Sequence, residues 1–341
     1  MQAKRKHHYV QARYLDGFLA EAETQLWCYG RHRPESFRAI SDELANQRDF
    51  YAIPDAPVGS NIEDYLEKSV ESPGLNALRE LVGRLQPPTL EARIALGRYI
   101  AFQEMRVPHT RELIRKQHLH TLTHIEKQLR AQGGRDATIY PYATAEGEIA
   151  KRGEAFTITM KEAQAHLAEL ERNLDTFDLP MMVELANEFF IFFVQMRWTI
   201  LIAPDSSDFI TSDNPVFRCF TDQNLHDSAL LRPDCMVFCP LTKKAVLLME
   251  HDFEFLEVLR RETEDGNGHT LPPTRFREIS AEEVVTMNVE IAEQCTSWCF
   301  SGKPLEWLPE VLANESKRSE VRFYSDHSGY GARWTHKPGP S

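Results

Sequence analysis

The chain has 341 residues, 42% of them hydrophobic and 26% charged, with a formal net charge of −12. This content supplies a substantial core and excludes a wholly disordered protein. The acidic balance excludes non-specific nucleic-acid binding over the whole surface, which depends on clustered cations releasing counterions, but it permits a local basic groove.

Charge is polarised along the chain. Residues 1–13 hold Lys4, Arg5, Lys6 and Arg13 without an acid, whereas the stretch from Glu250 to Asp265 is rich in carboxylates. The basic start continues into His7-His8-Tyr9-Val10, then Tyr14-Leu15 and Phe18. Cations are rarely buried unpaired, so three of them beside two imidazoles read as a site rather than as core. Histidines and mixed polar residues follow where a secretory signal would be apolar, and six cysteines in this length do not make a disulfide framework. Both features predict a cytoplasmic protein. The longest apolar run, Phe189 to Val194, is flanked by Glu188, Gln195 and Arg197 and is too short to span a membrane.

Gln25–Tyr29 alternates and is aromatic, which predicts a strand ended by Gly30. Arg31–Gly59, interrupted by Pro34, Pro54 and Pro57, reads as a wrapped loop in which Asp49-Phe50-Tyr51 adds a short paired segment. From Ser60 the spacing turns helical: Ile62, Tyr65, Leu66 and Val70 share one face, and Leu75, Leu78, Leu81, Val82 and Leu85 share another. Pro73-Gly74 and Pro87-Pro88 are expected to separate helices. Thr89 is a suitable N-cap for a helix reaching about Arg106, where Pro108 ends or kinks it before another helix runs to Gly133-Gly134. Residues 135–153 read as a mobile loop, and helical pattern resumes over Lys161–Thr176 and Pro180–Trp198. Thr199–Ile202, Asp208–Thr211, Cys235–Phe238 and Ala245–Met249 then read as one antiparallel sheet. A helix over Ala281–Gln294 precedes a strand at Thr296–Phe300, and the stretch from Ser325 on reads as a loose tail. This order gives an α+β class: a helical central region, about 60–198, packed with a mostly antiparallel sheet from N-terminal and C-terminal strands. Residues 1–324 are expected to form one globular domain, with 325–341 flexible.

Several separated motifs together resemble a known family, the domain of unknown function 4238. They are His7-His8-Tyr9-Val10 with Tyr14-Leu15 and Phe18, Leu26-Trp27 with Tyr29, Phe50-Tyr51, and Gln103, Arg106, Pro108 and Arg111. Ser212-Asp213-Asn214-Pro215, Pro240-Leu241-Thr242, and Asn288 with Ala292 complete the series in order over roughly residues 4 to 301. One position departs from the pattern: Gln11 stands where the family usually has proline, which predicts a looser turn with an amide to satisfy. The resemblance identifies relatives without supplying a chemistry, so function is argued from the residues.

In an extended segment His7 and His8 point to opposite faces, so one of them is the acid/base candidate while the other packs or orients; both can instead staple the N-terminus to the fold. Gln103 and Arg106, three apart on a helix, present an amide and a guanidinium suited to phosphate or carboxylate. The competing reading is a structural network, with Arg106 complementing a helix C-terminus and paired to a neighbour of Glu104 or to Asp213. Asp213 and Asn214 follow a predicted strand, where Asp213 can orient an imidazole, bind a metal or act as base, or where both simply build an Asx-type turn before Pro215. Catalytic candidates are thus His7, His8 and Asp213, and substrate-binding candidates are Lys6, Tyr9, Gln103, Arg106 and Asn214. Convergence of His8, Arg106 and Asp213 would give an acid/base with an anion clamp, as in a hydrolase of phosphoryl or nucleic-acid substrates such as a nuclease. The alternative is a non-catalytic or regulatory protein that holds an anionic ligand. His120 and His124, near His118 and Glu126, read as a solvated face, and Cys235/Cys239 and Cys295/Cys299 as buried thiols, so no metal site is expected. The sequence has no glycine-rich phosphate loop, dinucleotide fingerprint or serine elbow, and specifies no cofactor.

Overall fold

Strands from the two ends of the sequence pair with one another. Leu26–Gly30 lies between Arg33–Ala39 and Trp298–Ser301, and Thr211–Ser212 forms the far edge of this four-stranded antiparallel sheet. Gly30 lies opposite Trp298, whose ring covers it: a Cβ at Gly30 would sit 2.8 Å from the indole. The computed structural model describes residues 6–51, 62–131, 137–139, 156–172, 178–220, 230, 232–252, 271–314, 319–326 and 329–336.

A second sheet of five strands has the order Arg275–Glu278, Arg197–Ile202, Ala245–Glu250, Cys235–Thr242, Phe217–Phe220; its first pair is parallel and the others antiparallel. The α+β class and the antiparallel character are as expected. The strands read as a single sheet instead divide, because Thr211 pairs with Phe300 of the first sheet rather than with its neighbours in sequence. The expected loop from Arg31 also carries structure: Arg33–Ala39 is a strand, and Asn46–Arg48, rather than residues 49–51, pairs with Lys6–His8.

The helical layer is centred on Leu90–Arg106, capped by Thr89, whose Oγ1 accepts the Ala92 amide at 3.2 Å. Asp178–Gln195 packs along one side of it and Ser72–Arg84 along the other. Both approaches need glycine: a Cβ at Gly97 would lie 2.7 Å from Val194 Cγ2, and one at Gly74 would overlap Tyr99 Cβ outright. Pro73-Gly74 does not break the chain into separate helices. Ile62–Tyr65 runs through a wide π turn at Leu66–Glu71 directly into Ser72–Arg84, with Pro73 in the first turn, where a missing amide is harmless. Pro108 opens the next helix, Pro108–Ala131, and Met160–Arg172 packs against that helix.

One apolar cluster joins these parts, running from Val10, Tyr14, Leu15 and Phe18 through Leu96, Ile100 and Phe102 to Ile200, Val237, Leu247 and Phe300. Ala281–Gln294 covers a second cluster with a capping box at Ser280 and Glu283. The loop expected over 135–153 lies outside the described residues except at Ala137–Ile139, which pairs with Phe156–Ile158. The stretch from Ser325 on is described only as far as His336: Ser319–Asp326 and Gly329–His336 form a hairpin that sets Val321 opposite Trp334 and Phe323 opposite Ala332. No helix among the described residues is long and apolar enough to cross a membrane.

Candidate functional site

Strand alternation turns His7 inward and leaves Lys6 and His8 toward solvent. His7, 7% exposed, accepts the Tyr51 amide on Nδ1 at 2.9 Å and stacks on the Tyr51 ring with centroids 5.4 Å apart. Since that bond uses the Nδ1 lone pair, the neutral ring carries its proton on Nε2, which lies 3.6 Å from Glu63 Oε2. His8 instead turns to the loop at Asp42: its Nε2 is 2.9 Å from the Asp42 carbonyl, and Lys6 Nζ is 2.8 Å from Asp42 Oδ2. The two imidazoles therefore serve different surroundings, and only His7 belongs to the buried one.

Gln11 does not loosen the turn. It sits at φ −67°, the value a proline ring would fix, with an extended ψ of 139°, just before the short helix Ala12–Leu15. Its Oε1 is buried without a partner among the described residues.

The end of the central helix meets the motif from below. Gln103 Nε2 donates to the Tyr9 carbonyl at 3.0 Å, and Gln103 Oε1 accepts from Arg106 Nη2 at 2.5 Å. Arg106, 1% exposed, gives Nη1 to Glu71 Oε1 of the π turn. The counter-ion is thus neither a neighbour of Glu104 nor Asp213; Glu104 is taken by Arg218 at 2.7 Å. Burial works against the charge on Arg106, but the Glu71 carboxylate, with Tyr51 and Tyr99, outweighs it and holds the guanidinium above its ordinary pKa. Tyr51 Oη donates to the His8 carbonyl at 3.1 Å, and burial raises this phenol to about 12 despite Arg106 and Arg111 nearby. Arg111 gives Nη1 to the Phe50 carbonyl at 2.7 Å and lies over the Phe50 ring. Two atoms of this buried cluster, Arg106 Nε and Tyr99 Oη, have no partner among the described residues.

Asp213 and Asn214 sit in a different network. Asp213 accepts the Thr296 amide on Oδ1 and the Ser297 amide on Oδ2, each at 2.8 Å, and its own amide donates to Trp298 O at 2.9 Å. Burial raises this carboxyl to about 6, against the pull of those amides and of Arg31. Asn214 Nδ2 donates to Gln294 O at 3.0 Å, and its amide donates to Ser212 Oγ at 3.1 Å, the local turn bond the sequence suggested. The pair fastens the end of helix Ala281–Gln294 to the strand Trp298–Ser301. No hydrogen bond among the described residues joins His8, Arg106 and Asp213; the link to the N-terminal cluster is electrostatic, the Asp213 charge adding to burial in raising the Tyr9 phenol. Lys6, His8, Asp213 and Asn214 are therefore separate from the group His7, Tyr9, Gln103 and Arg106.

Glu63, Glu71 and Tyr99 are not legible in the sequence as members of that group, since each looks like an ordinary position on a helix. Tyr51 is visible within the Phe50-Tyr51 motif, and Arg111 three residues after Pro108. Arg31 gives no signal at all, yet its guanidinium donates to the carbonyls of Leu312, Ala292, Glu293 and Cys295 at 3.0 to 3.2 Å and so caps a helix end. All six cysteines are unpaired, five of them buried. No group of three or more His, Cys, Asp or Glu is placed to hold a metal among the described residues; the side chains of His118 and His124 lie outside them.

No curated protein and no solved structure matches the chain. A family model matches residues 6–304, from the N-terminal strand past the last strand of the four-stranded sheet, and this span contains every residue of the two networks described above except Leu312. The chain belongs to the family described as "Protein of unknown function (DUF4238)".

Proposed function

We propose that the protein binds a small anionic ligand at the cluster formed by the N-terminal strand and the end of the central helix, and that it does so without catalysis. The observation that supports this is the state of the acid/base candidates. His7 Nδ1 and both oxygens of Asp213 accept backbone amides, and His8 Nε2 lies against a backbone carbonyl, so these groups serve the fold. Arg106 meanwhile keeps a buried positive charge in the same cluster as His7. The ligand is a small molecule, or a nucleic acid engaged through its phosphates at this local site. A cytoplasmic setting accompanies this reading, in keeping with six unpaired thiols.

The test is thermal unfolding of the full chain with inorganic phosphate, sulfate, mononucleotides, RNA and single-stranded DNA. A ligand that binds the folded state raises the midpoint by mass action. Binding predicts such a rise with at least one anion and no cleavage of the nucleic acids; no rise with any of them contradicts it.

A hydrolase of phosphoryl or nucleic-acid substrates is the second reading, favoured by the imidazole and carboxylate of His7 and Glu63 at 3.6 Å. Such a pair is longer than a direct hydrogen bond in a free enzyme and tightens on substrate. Cleavage of RNA or DNA, with or without divalent metal, that disappears in a folded Glu63→Gln variant would replace the binding reading with this one.

A further inference from the structure

The hairpin of Ser319–Asp326 and Gly329–His336 lies past residue 304, where the match to the family ends, and among the described residues its strands pair only with each other. A lone two-stranded hairpin is marginal in water and needs support from another element. Here the strand Ser319–Asp326 lies against the helix Pro108–Ala131. Both segments are basic, in a chain of net charge −12. The helix holds Arg111, Arg115, Lys116, Lys127 and Arg130 against Glu112 and Glu126. The sequence from Lys317 to Lys337 adds Arg318, Arg322 and Arg333 to those two lysines, against Glu320 and Asp326. Glu112 and Glu126 are already paired within the helix, to Lys116 at 3.3 Å and to Arg130 at 2.5 Å. Lys116, Lys127 and Arg130 are exposed, at a spacing that puts them on one helix face. The fold thus sets two basic segments side by side, an arrangement that repels itself and attracts a polyanion.

The register of the hairpin narrows the class of polyanion. Arg322 is directly opposite Arg333, a like-charged cross-strand pair that by itself destabilises a hairpin. Strand alternation puts Tyr324 on the face of these arginines, opposite Gly331, which brings no side chain beside it; Glu320 and Asp326 fall on the same face, nearer the ends of the strand. Val321, Phe323, Tyr330, Ala332 and Trp334 share the other face. We propose that the hairpin docks on the helix by this apolar face and that Arg322, Tyr324 and Arg333, together with Lys127 and Arg130 of the helix, bind single-stranded nucleic acid. A phosphate supplies the counter-charge that the Arg322–Arg333 pair lacks across the strands, and an unstacked base lies on the Tyr324 ring. Cations that follow a backbone, interleaved with an aromatic platform, are the means by which proteins hold single strands without reading sequence. A duplex keeps its bases stacked and offers the ring nothing, and an anionic lipid surface would use the cations alone. The surface is separate from the buried cluster at Arg106 and does not depend on it.

Fluorescence anisotropy of labelled oligo(U) and oligo(dT) with the full chain, beside a duplex of the same length and vesicles containing phosphatidylserine, tests the surface. The wild type is expected to bind the single strands more tightly than the duplex, with an affinity that falls as salt rises. Arg322→Glu sets opposite charges across the hairpin, so the ligand-free variant should unfold no earlier than wild type while binding single strands at least about tenfold more weakly and with a shallower salt dependence. Tyr324→Ala should weaken binding by about tenfold, within the range for loss of one stacked base. Lys127→Ala, on the helix, should weaken it too. The rise in unfolding midpoint with inorganic phosphate, which tests the buried cluster, should be the same in Arg322→Glu as in wild type, so the two readings fail separately. Single strands left unbound by the wild type, or bound unchanged by Arg322→Glu and Tyr324→Ala, overturn the surface. A duplex or the vesicles bound as tightly as the single strands overturn it as well.

Discussion

His7 and His8 are adjacent and identical in chemistry, but the strand separates them: one stacks on Tyr51 in the interior and the other caps a surface loop at Asp42. That only one of them can face the interior is legible in the sequence, because alternation is local. Their partners are not, because Tyr51 and Glu63 reach His7 only once the chain has folded back. Arg106 is the same case. Its place near a helix end is readable from the Thr89 cap and Pro108, while its counter-ion Glu71 comes from a π turn that no periodicity signals. Gln11 carries the residue-scale prediction. Its backbone torsions suit proline, its amide makes no hydrogen bond among the described residues, and its side chain buries an unsatisfied oxygen. Gln11→Pro is therefore expected to stabilise the protein by about 0.4–1 kcal/mol through the unfolded chain, read as a higher denaturant midpoint at unchanged slope.

Helices are legible as elements because each presents an apolar face at the right period and several are capped by recognisable residues; Ser280 with Glu283 and Thr89 are in place. The strands are legible too, but their division between two sheets is not, since pairing Thr211 with Phe300 joins residues far apart in sequence and leaves no local trace. Pro73-Gly74 is deceptive in the same way. Glycine there reads as a breaker, whereas its role is to let the Tyr99 helix approach, because a Cβ at Gly74 would collide with Tyr99 Cβ. Gly74→Ala should thus force the two helices apart and cost about 1–3 kcal/mol, the range of overpacked cores. The same change at Gly83, which has open space around it, is expected to stabilise by up to about 1 kcal/mol, and comparison of the two midpoints checks the argument.

At the scale of the molecule, the candidate residues fall into two networks. One ties the N-terminal strand to the helical layer, and the other, through Asp213, Asn214 and Arg31, ties the helix Ala281–Gln294 to the four-stranded sheet. Asp213 gives this second tie a pH signature. Burial raises its carboxyl from 3.8 to about 6, so the folded protein holds the proton more tightly than the unfolded chain. Its contribution is then fully present below about pH 4 and is lost as pH rises through about 6, on the order of 2–3 kcal/mol. Asp213→Asn, though less stable because its amide opposes one backbone N–H, should lack this slope when denaturant midpoints are compared across that window. Parallel curves for the two proteins would contradict it.

On the proposed binding reading, His7 and His8 serve the fold rather than a reaction centre. Equilibrium urea unfolding of His7→Ala and His8→Ala, each beside wild type in the same RNA and DNA cleavage assay, tests it most directly. His7→Ala is expected to lose about 1–3 kcal/mol, because the buried Tyr51 amide is left without an acceptor, and His8→Ala, at a more exposed site, less than about 1 kcal/mol. A His7→Ala protein as stable as wild type, together with a cleavage activity present in wild type and absent in the variant, would contradict it.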